Sequence, residues 1–325
     1  MKQKKYVGLK ICALTAVVSL FAASMAFAAE QVEARSVNGT QVEAADYVSR
    51  EVKISVPEQN GIPAHTMYAI ITLPGSATKD APVPAVVMMH GTGSNLHEVN
   101  GGFDMAAEQF AKSGIASIRF DFIGTGTGKE ANYIYYNYTS ASQDAKTAAD
   151  YIAALNNVDG SKIGVMGWSQ GGTDALLAAA DYPDTFHSVV TWAGALDLTG
   201  LFPDFNKSYA EAQEKGSVDM TFDWRTSLPV GAQWFREVKD TDALAKAKTI
   251  PAPILTINGT GDTIVDPASG KVIADAAQNK ASRNLMIDGM DHTFNMFTGD
   301  YSAINQAIGA SADFFKETLN PAAGK

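Results

Sequence analysis

From residue 48 onward the chain moves between two rhythms. Residues 48–56 set Val48, Val52, Ile54 and Val56 against Ser49, Glu51, Lys53 and Ser55, the period of a half-buried strand. Residues 67–73 supply its partner, with Asn60-Gly61 in the turn between them. The later apolar runs, at 85–89, 115–120, 163–166, 189–192, 254–257 and 284–287, are continuous rather than alternating, as expected of strands covered on both faces. Between them apolar residues recur three and four apart over 105–112, 141–154, 173–180, 268–277 and 303–319, which predicts helices. Strands alternating with helices predict an α/β fold, a mostly parallel central sheet with helices on both faces.

One stretch interrupts this order. Residues 197–247 separate two strands by far more than an ordinary connection, and Phe202, Phe205, Tyr209, Phe222, Trp224, Trp234 and Phe235 are scattered through them. A long aromatic insertion predicts a cap or lid, with Phe202, Trp224 and Trp234 as substrate-binding candidates. The plainer alternative is a pair of packed helices that never meet a substrate. Residues 48–325 otherwise read as one domain, preceded by a polar leader over 29–47.

The first residues change the picture of where the chain works. Lys2, Lys4, Lys5 and Lys10 precede an apolar run over 11–27, and Ala26-Phe27-Ala28 is a small-x-small cleavage signal. This predicts a secretory signal peptide over 1–28 and a secreted or periplasmic mature protein, with no other segment apolar enough to span a membrane. The only cysteine, Cys12, falls inside it. A mature chain so cut has no disulfide, no thiolate metal site and no cysteine nucleophile. Losing four lysines and no acids leaves 21 basic against 35 acidic residues, so the formal charge moves from -10 to -14. Such a surface repels nucleic acid and anionic lipid, which leaves a small molecule as the expected partner.

Gly167-Trp168-Ser169-Gln170-Gly171 follows the apolar run at 163–166. A strand entering a sharp turn with serine at its tip presents the hydroxyl at the top of a sheet, and the glycines leave room for the turn. The plainer reading of Ser169 is a helix N-cap, which the rest of the constellation disfavours. A serine hydroxyl needs a base, and His292, in a polar loop before the last helix, is in place to be one. An imidazole needs an anion, and Asp262 lies just past the strand at 254–257. Asp266 is its rival but reads more simply as a cap for the helix opened by Pro267. Asp291 adjoins His292 too closely in the chain to face it. The order Ser169, Asp262, His292 is that of α/β hydrolases. Oxyanion donors are expected at Gln170 N–H and at Thr92 N–H, in the loop His90-Gly91-Thr92-Gly93-Ser94, with Gly93 the second choice there. His90 reads as a support for that loop. His65, His97 and His187 read as structural or solvent-facing. Trp168 either lines the pocket or belongs to the core. Gly124-Thr125-Gly126-Thr127-Gly128-Lys129-Glu130 only imitates a phosphate loop, since its opening glycine is missing and Glu130 stands where Ser or Thr is needed. The chemistry calls for neither metal nor organic cofactor.

Phe120-Asp121-Phe122-Ile123-Gly124-Thr125-Gly126 resembles the D-F-x-G-x-G loop of bacterial cinnamoyl (feruloyl) esterases. The stretches His90 to Asn95, Gly167 to Gly172, Gly261 to Pro267 and Gly289 to Phe294 are similar to that family's as well. The resemblance implies an α/β-hydrolase fold, an acyl esterase triad of Ser169, Asp262 and His292, and a cap over the acyl group. Gly93 and Trp168 join the substrate-binding candidates. Thr92 stands where the family often has an aromatic or apolar residue, and the segment Tyr133-Ile134-Tyr135-Tyr136-Asn137-Tyr138 has no counterpart in the pattern. Dienelactone hydrolases are similar in fold but use cysteine. Two alternatives stay open. One is a peptidase of the prolyl-oligopeptidase or aminopeptidase branch, for which Glu211 and Glu214 would form a carboxylate pair for a substrate amino terminus. The other is a non-catalytic binding protein of the same fold.

Overall fold

A computed structural model describes residues 46–320. The predicted signal peptide, and the leader as far as residue 45, lie outside the described residues. The chain opens with an antiparallel hairpin, β1 (Tyr47–Val56) and β2 (His65–Pro74). Asn60 and Gly61 both take left-handed backbone, φ 53° and 80°, which a tight two-residue turn between twisted strands requires. There follow β3 (Val83–Met89), α1 (Glu98–Lys112), β4 (Ala116–Phe120), α2 (Tyr138–Ala153), β5 (Val158–Trp168), α3 (Gln170–Asp181) and β6 (Ser188–Trp192). The insertion holds α4 (Phe205–Lys215), a small hairpin of β7 (Ser217–Met220) and β8 (Leu228–Gly231), α5 (Ala232–Asp240) and α6 (Ala243–Ala247). The chain then returns through β9 (Ile254–Gly259), α7 (Ala268–Ala276), β10 (Arg283–Ile287) and α8 (Ser302–Leu319).

Eight strands form one sheet in the order β1-β2-β4-β3-β5-β6-β9-β10. The pairs β1–β2 and β2–β4 are antiparallel and the rest are parallel. Helices bury both faces, which is why β4 and β6 are buried at every position. On one face Phe103 and Phe110 of α1 meet Phe314 and Phe315 of α8 around Trp192. On the other face α2, α3 and the insertion share one apolar cluster. Each fully buried side chain of this size is worth about 1.5–3 kcal/mol over leaving it in water.

The chain runs from β3 outward to β4 on one side and to β5 on the other, so strand order reverses between them. At such a reversal the loops leaving the carboxyl ends of adjacent strands diverge and open a crevice. The loop after β3 and the serine after β5 both lie there. Two details depart from the apolar periodicity. Helix α1 begins at Glu98 rather than near residue 105, and reaches its regular part through Val99, Asn100 and Gly101 in left-handed backbone. The insertion is a helix, a hairpin and two further helices, not a plain helical pair.

Candidate active site

Ser169 occupies a backbone conformation that few non-glycine residues adopt, φ 56° and ψ -123°. The neighbouring structure holds it there. Its N–H donates to the Trp192 carbonyl at 2.8 Å, extending the β5–β6 pairing by one residue. A Cβ on Gly167 would lie 1.9 Å from the Gly171 carbonyl oxygen, and one on Gly171 would lie 2.2 Å from the Met89 carbonyl oxygen. The turn is therefore as tight as backbone alone allows, and it drives Ser169 Oγ outward.

Ser169 Oγ stands 3.1 Å from His292 Nε2, and His292 Nδ1 stands 2.8 Å from Asp262 Oδ2. An ionised carboxylate only accepts, so Nδ1 carries the proton and Nε2 presents its lone pair to the serine hydroxyl. The other oxygen of Asp262 accepts Ile264 N–H at 2.8 Å and Val265 N–H at 2.9 Å. Burial pushes the Asp262 carboxyl up, but the hydrogen bond and charge of His292 and those two amides outweigh it and hold the carboxyl below its usual range. The imidazole is further fixed by Trp168. Its ring centre lies 4.9 Å from that of His292, and its indole N–H donates to the His292 carbonyl at 2.9 Å.

The loop after β3 is braced from several sides. Thr92 Oγ1 donates to Gln170 Oε1 at 2.8 Å, tying the two predicted oxyanion residues together. Gln170 opens α3, where the first N–H groups of a helix have no intrahelical acceptor. Glu98 is buried beneath the loop and receives Gly91 N–H at 2.5 Å and the Ser94 hydroxyl at 2.7 Å. His90 is buried, with Nδ1 2.8 Å from the Gly91 carbonyl and Nε2 3.0 Å from Thr125 Oγ1. Burial pushes its pKa down to about 4, so it is a neutral tie to the glycine-rich loop after β4. Asp121 completes that tie by accepting Leu96 N–H at 2.8 Å and Thr127 N–H at 3.0 Å. The glycine run at 124–128 thus supports the loop after β3.

The remaining candidates fall elsewhere. Asp266 accepts Ala268 N–H at 2.9 Å at the mouth of α7, and Asp291 accepts the N–H groups of Thr293 and Asn295 inside the His292 loop. His65 pairs with buried Asp144 at 3.1 Å, and His97 faces Asp104 at the surface. Gly93 and Trp168 lie at the crevice, where a Cβ on Gly91 would meet the Trp168 ring at 2.7 Å. Phe202 and Trp234 are buried rather than presented at the surface. They are buried with Phe205, Tyr209 and Phe235 in the insertion's own aromatic cluster, because a segment of this size must cover its apolar stripe before it can present any of it. Trp224 is 62% exposed and edges onto Phe222. The insertion residues that do meet the loop after β3 are Phe222, Arg225 and Leu228. Only the aromatic richness of the segment pointed towards them. Nothing in the sequence near Glu98 marked it.

Serine hydrolase BPHL of Homo sapiens is 46% identical over 57 residues, 18% of this chain and 19% of that protein. Alpha/beta hydrolase domain-containing protein WAV2 of Arabidopsis thaliana is 26% identical over 149 residues, 45% of this chain and 44% of that protein. The chain thus spans less than half the length of these curated relatives. The solved structure of Est1E from Butyrivibrio proteoclasticus superposes with a TM-score of 0.62 at 18% identity, covering 83% of this chain and 99% of that one. A second structure of Est1E holds ferulic acid. These likenesses show the α/β-hydrolase fold. The prolyl oligopeptidase (Peptidase_S9) family model matches residues 102–322, from within α1 to beyond α8 and across Ser169, Asp262 and His292. On that match, about two thirds of the chain, the protein belongs to the prolyl oligopeptidase family of α/β hydrolases.

Proposed function

We propose that the protein is a serine esterase that cleaves carboxylic esters of small acyl groups, hydroxycinnamoyl esters among them, through an acyl-enzyme. Ser169 Oγ attacks the ester carbonyl carbon while His292 Nε2 takes the hydroxyl proton. Asp262 holds the imidazolium that forms. The carbonyl oxygen becomes an oxyanion facing Gln170 N–H and Thr92 N–H. His292 then gives its proton to the leaving alkoxide, the carbon–oxygen bond breaks and the alcohol departs. Water, deprotonated by the same imidazole, attacks the acyl carbon. Collapse of the second tetrahedral species releases the acid and returns the proton to Ser169. The observation that carries this reading is the unbroken line from Asp262 Oδ2 through His292 to Ser169 Oγ, at 2.8 and 3.1 Å.

Several features support ester rather than peptide cleavage. The loops around Ser169, Asp121 and His292 resemble those of cinnamoyl esterases, and Est1E, similar in fold, has been seen with ferulic acid. Glu211 is engaged with Lys215 at 2.8 Å on the surface of α4 and Glu214 is exposed beside it, a solvated face rather than a clamp for an amino terminus. The family match favours the second reading, a peptidase. The insertion over 197–247 serves as the cap in either case, and the lysine-led apolar start of the chain supports export.

A panel of p-nitrophenyl esters and methyl hydroxycinnamates, run beside aminoacyl-anilides, separates the readings. Ester turnover with the anilides untouched supports the proposal, and the reverse establishes the peptidase. A fluorophosphonate that labels wild type but not Ser169→Ala identifies the nucleophile. The same variant should lose ester turnover by roughly 10⁴ or more, and near-full activity in it would remove Ser169 from the mechanism.

A further inference from the structure

The insertion is built into the edge of the crevice. Arg225 lies between Trp224 and Thr226 in the stretch that joins β7 to β8. Its Nη1 donates to the Gly93 carbonyl, its Nη2 to Glu130 Oε1 at 2.5 Å, and its Nε to the Thr226 carbonyl at 3.1 Å. The guanidinium also lies 5.8 Å from the Phe222 ring centre and 6.0 Å from that of Trp224. Its side chain is 16% exposed and its bond to the Gly93 carbonyl is half-buried, whereas Glu130 is 54% exposed. Phe222 and Leu228 close on the same residue. A Cβ on Gly93 would lie 2.7 Å from the Phe222 ring and 3.3 Å from Leu228 Cδ1. Gly93 itself is in left-handed backbone, φ 67°. Three side chains of the insertion therefore enclose the residue next to Thr92.

Beneath the loop, Glu98 holds Gly91 N–H and the Ser94 hydroxyl. Thr92 lies between those two points. Its N–H belongs to the 91–92 peptide, whose Gly91 carbonyl accepts Ser94 N–H at 3.2 Å, and Ser94 N–H in turn belongs to the 93–94 peptide whose carbonyl Arg225 holds. The anchor that fixes the Gly93 carbonyl from above comes from the insertion, through a bidentate-capable, permanently charged group. Glu130 belongs to a third segment, the loop after β4, and also receives the Thr226 hydroxyl at 3.3 Å. One guanidinium thus ties the insertion both to the loop after β3 and to the loop after β4.

Resting on the esterase reading above, we propose that Arg225 is a positioning residue for oxyanion stabilisation, and that the insertion sets turnover by orienting the Thr92 peptide and not only by shaping the space over Ser169. A displaced donor loses most of its value because oxyanion stabilisation depends on preset geometry.

Arg225→Gln, Arg225→Lys, Glu130→Gln and the Arg225→Gln/Glu130→Gln double variant test this, measured against wild type. Fluorophosphonate labelling of Ser169 and ester turnover by wild type are recorded first, so that failure of the esterase reading shows there and not in the variants. Substrates are p-nitrophenyl acetate, too short to reach far under the cap, and a p-nitrophenyl ester with a longer acyl chain. Binding of a trifluoromethyl ketone is measured in parallel. Ser169 Oγ adds to its carbonyl carbon, the hydroxyl proton passes to His292, and the oxygen is left as an oxyanion.

Arg225→Gln should lower kcat on both esters about tenfold or more, leave KM within about twofold, and weaken the ketone by a similar factor. The lysine variant should recover part of the loss. Glu130→Gln, an exposed change that leaves the fold alone, should fall between wild type and Arg225→Gln, and the double variant should be no worse than Arg225→Gln alone. A raised KM for the longer ester with unchanged kcat on acetate would overturn the proposal and make Arg225 a pocket wall. Unchanged ketone binding in Glu130→Gln and Arg225→Lys alike would overturn it too, even if Arg225→Gln failed to fold.

Discussion

Replacing Glu98 with glutamine should change how stability depends on pH, and the structure sets the size of the change. The Glu98 side chain is 4% exposed and receives Gly91 N–H at 2.5 Å and the Ser94 hydroxyl and Val99 N–H at 2.7 Å each. Burial wins over those three hydrogen bonds and raises its pKa from 4.5 to about 7. Between those two values the folded chain keeps a proton that the unfolded chain has released, so stability falls as pH rises. The contribution is complete below 4.5 and gone once the pH has passed about 7. At about 1.4 kcal/mol per pH unit it amounts to ~3 kcal/mol. Glutamine keeps the shape, carries no charge and does not titrate. With its oxygen on Gly91 N–H and its amide donating to a turned Ser94 hydroxyl, it leaves Val99 N–H without that acceptor, an offset that is the same at every pH. The unfolding free energy of Glu98→Gln minus that of wild type should therefore rise by ~3 kcal/mol between pH 4.5 and about 8, whatever its offset in acid. Urea unfolding across that range, followed by tryptophan fluorescence, reads the difference directly. A difference flat to within about 0.5 kcal/mol would refute the reasoning, because it would mean that the three hydrogen bonds outweigh burial and the carboxylate stays ionised throughout.

Asp262→Asn keeps an oxygen for the Ile264 and Val265 amides but turns an NH₂ towards His292, which forces the proton onto Nε2. The ester kcat should fall by roughly 10⁴ with the melting temperature nearly unchanged, and a loss under tenfold would dismiss Asp262 as the orienting acid. Gly171→Ala puts a methyl 2.2 Å from the Met89 carbonyl and 2.3 Å from that of His90, two backbone atoms that cannot step aside. It should cost about 3 kcal/mol or more in urea unfolding, and a variant of wild-type stability would show that the turn after β5 has slack.

The sheet was legible because its strands are buried on both faces and so leave continuous apolar runs. Each of the eight predicted strands overlaps an observed one, from β1 to β10, and the five predicted helices lie within or across α1, α2, α3, α7 and α8. The approach of Ser169, Asp262 and His292 could be anticipated for a related reason. In a parallel sheet every strand ends at the same rim, so loops far apart in sequence meet there once strand order is known. The start of α1 was hidden, because Val99 and Asn100 give no apolar signal for left-handed backbone and Glu98 reads as one more surface acid. Residues 197–247 were hidden more deeply. Aromatic identity says that a side chain will be buried, not against what, and Phe202 and Trp234 went to the apolar cluster that the insertion shares with α2 and α3 while Phe222 went to Gly93.

Arg225 acts on a carbonyl 132 residues away, a distance over which no periodicity carries information. The turn around Ser169 is fixed by its own five residues and the strands beneath it. The loop holding Thr92 is fixed by Glu98, by His90 and Asp121 through the loop after β4, and by Arg225 from the insertion. On the proposed mechanism, a nucleophile held by its own turn and an oxyanion donor held partly by two remote segments, the loop after β4 and the insertion, should respond differently to substitution. Substitution at Arg225 should therefore slow ester turnover while Ser169 is still labelled to completion by a fluorophosphonate, at a lower rate because the phosphoryl oxygen faces the same donors.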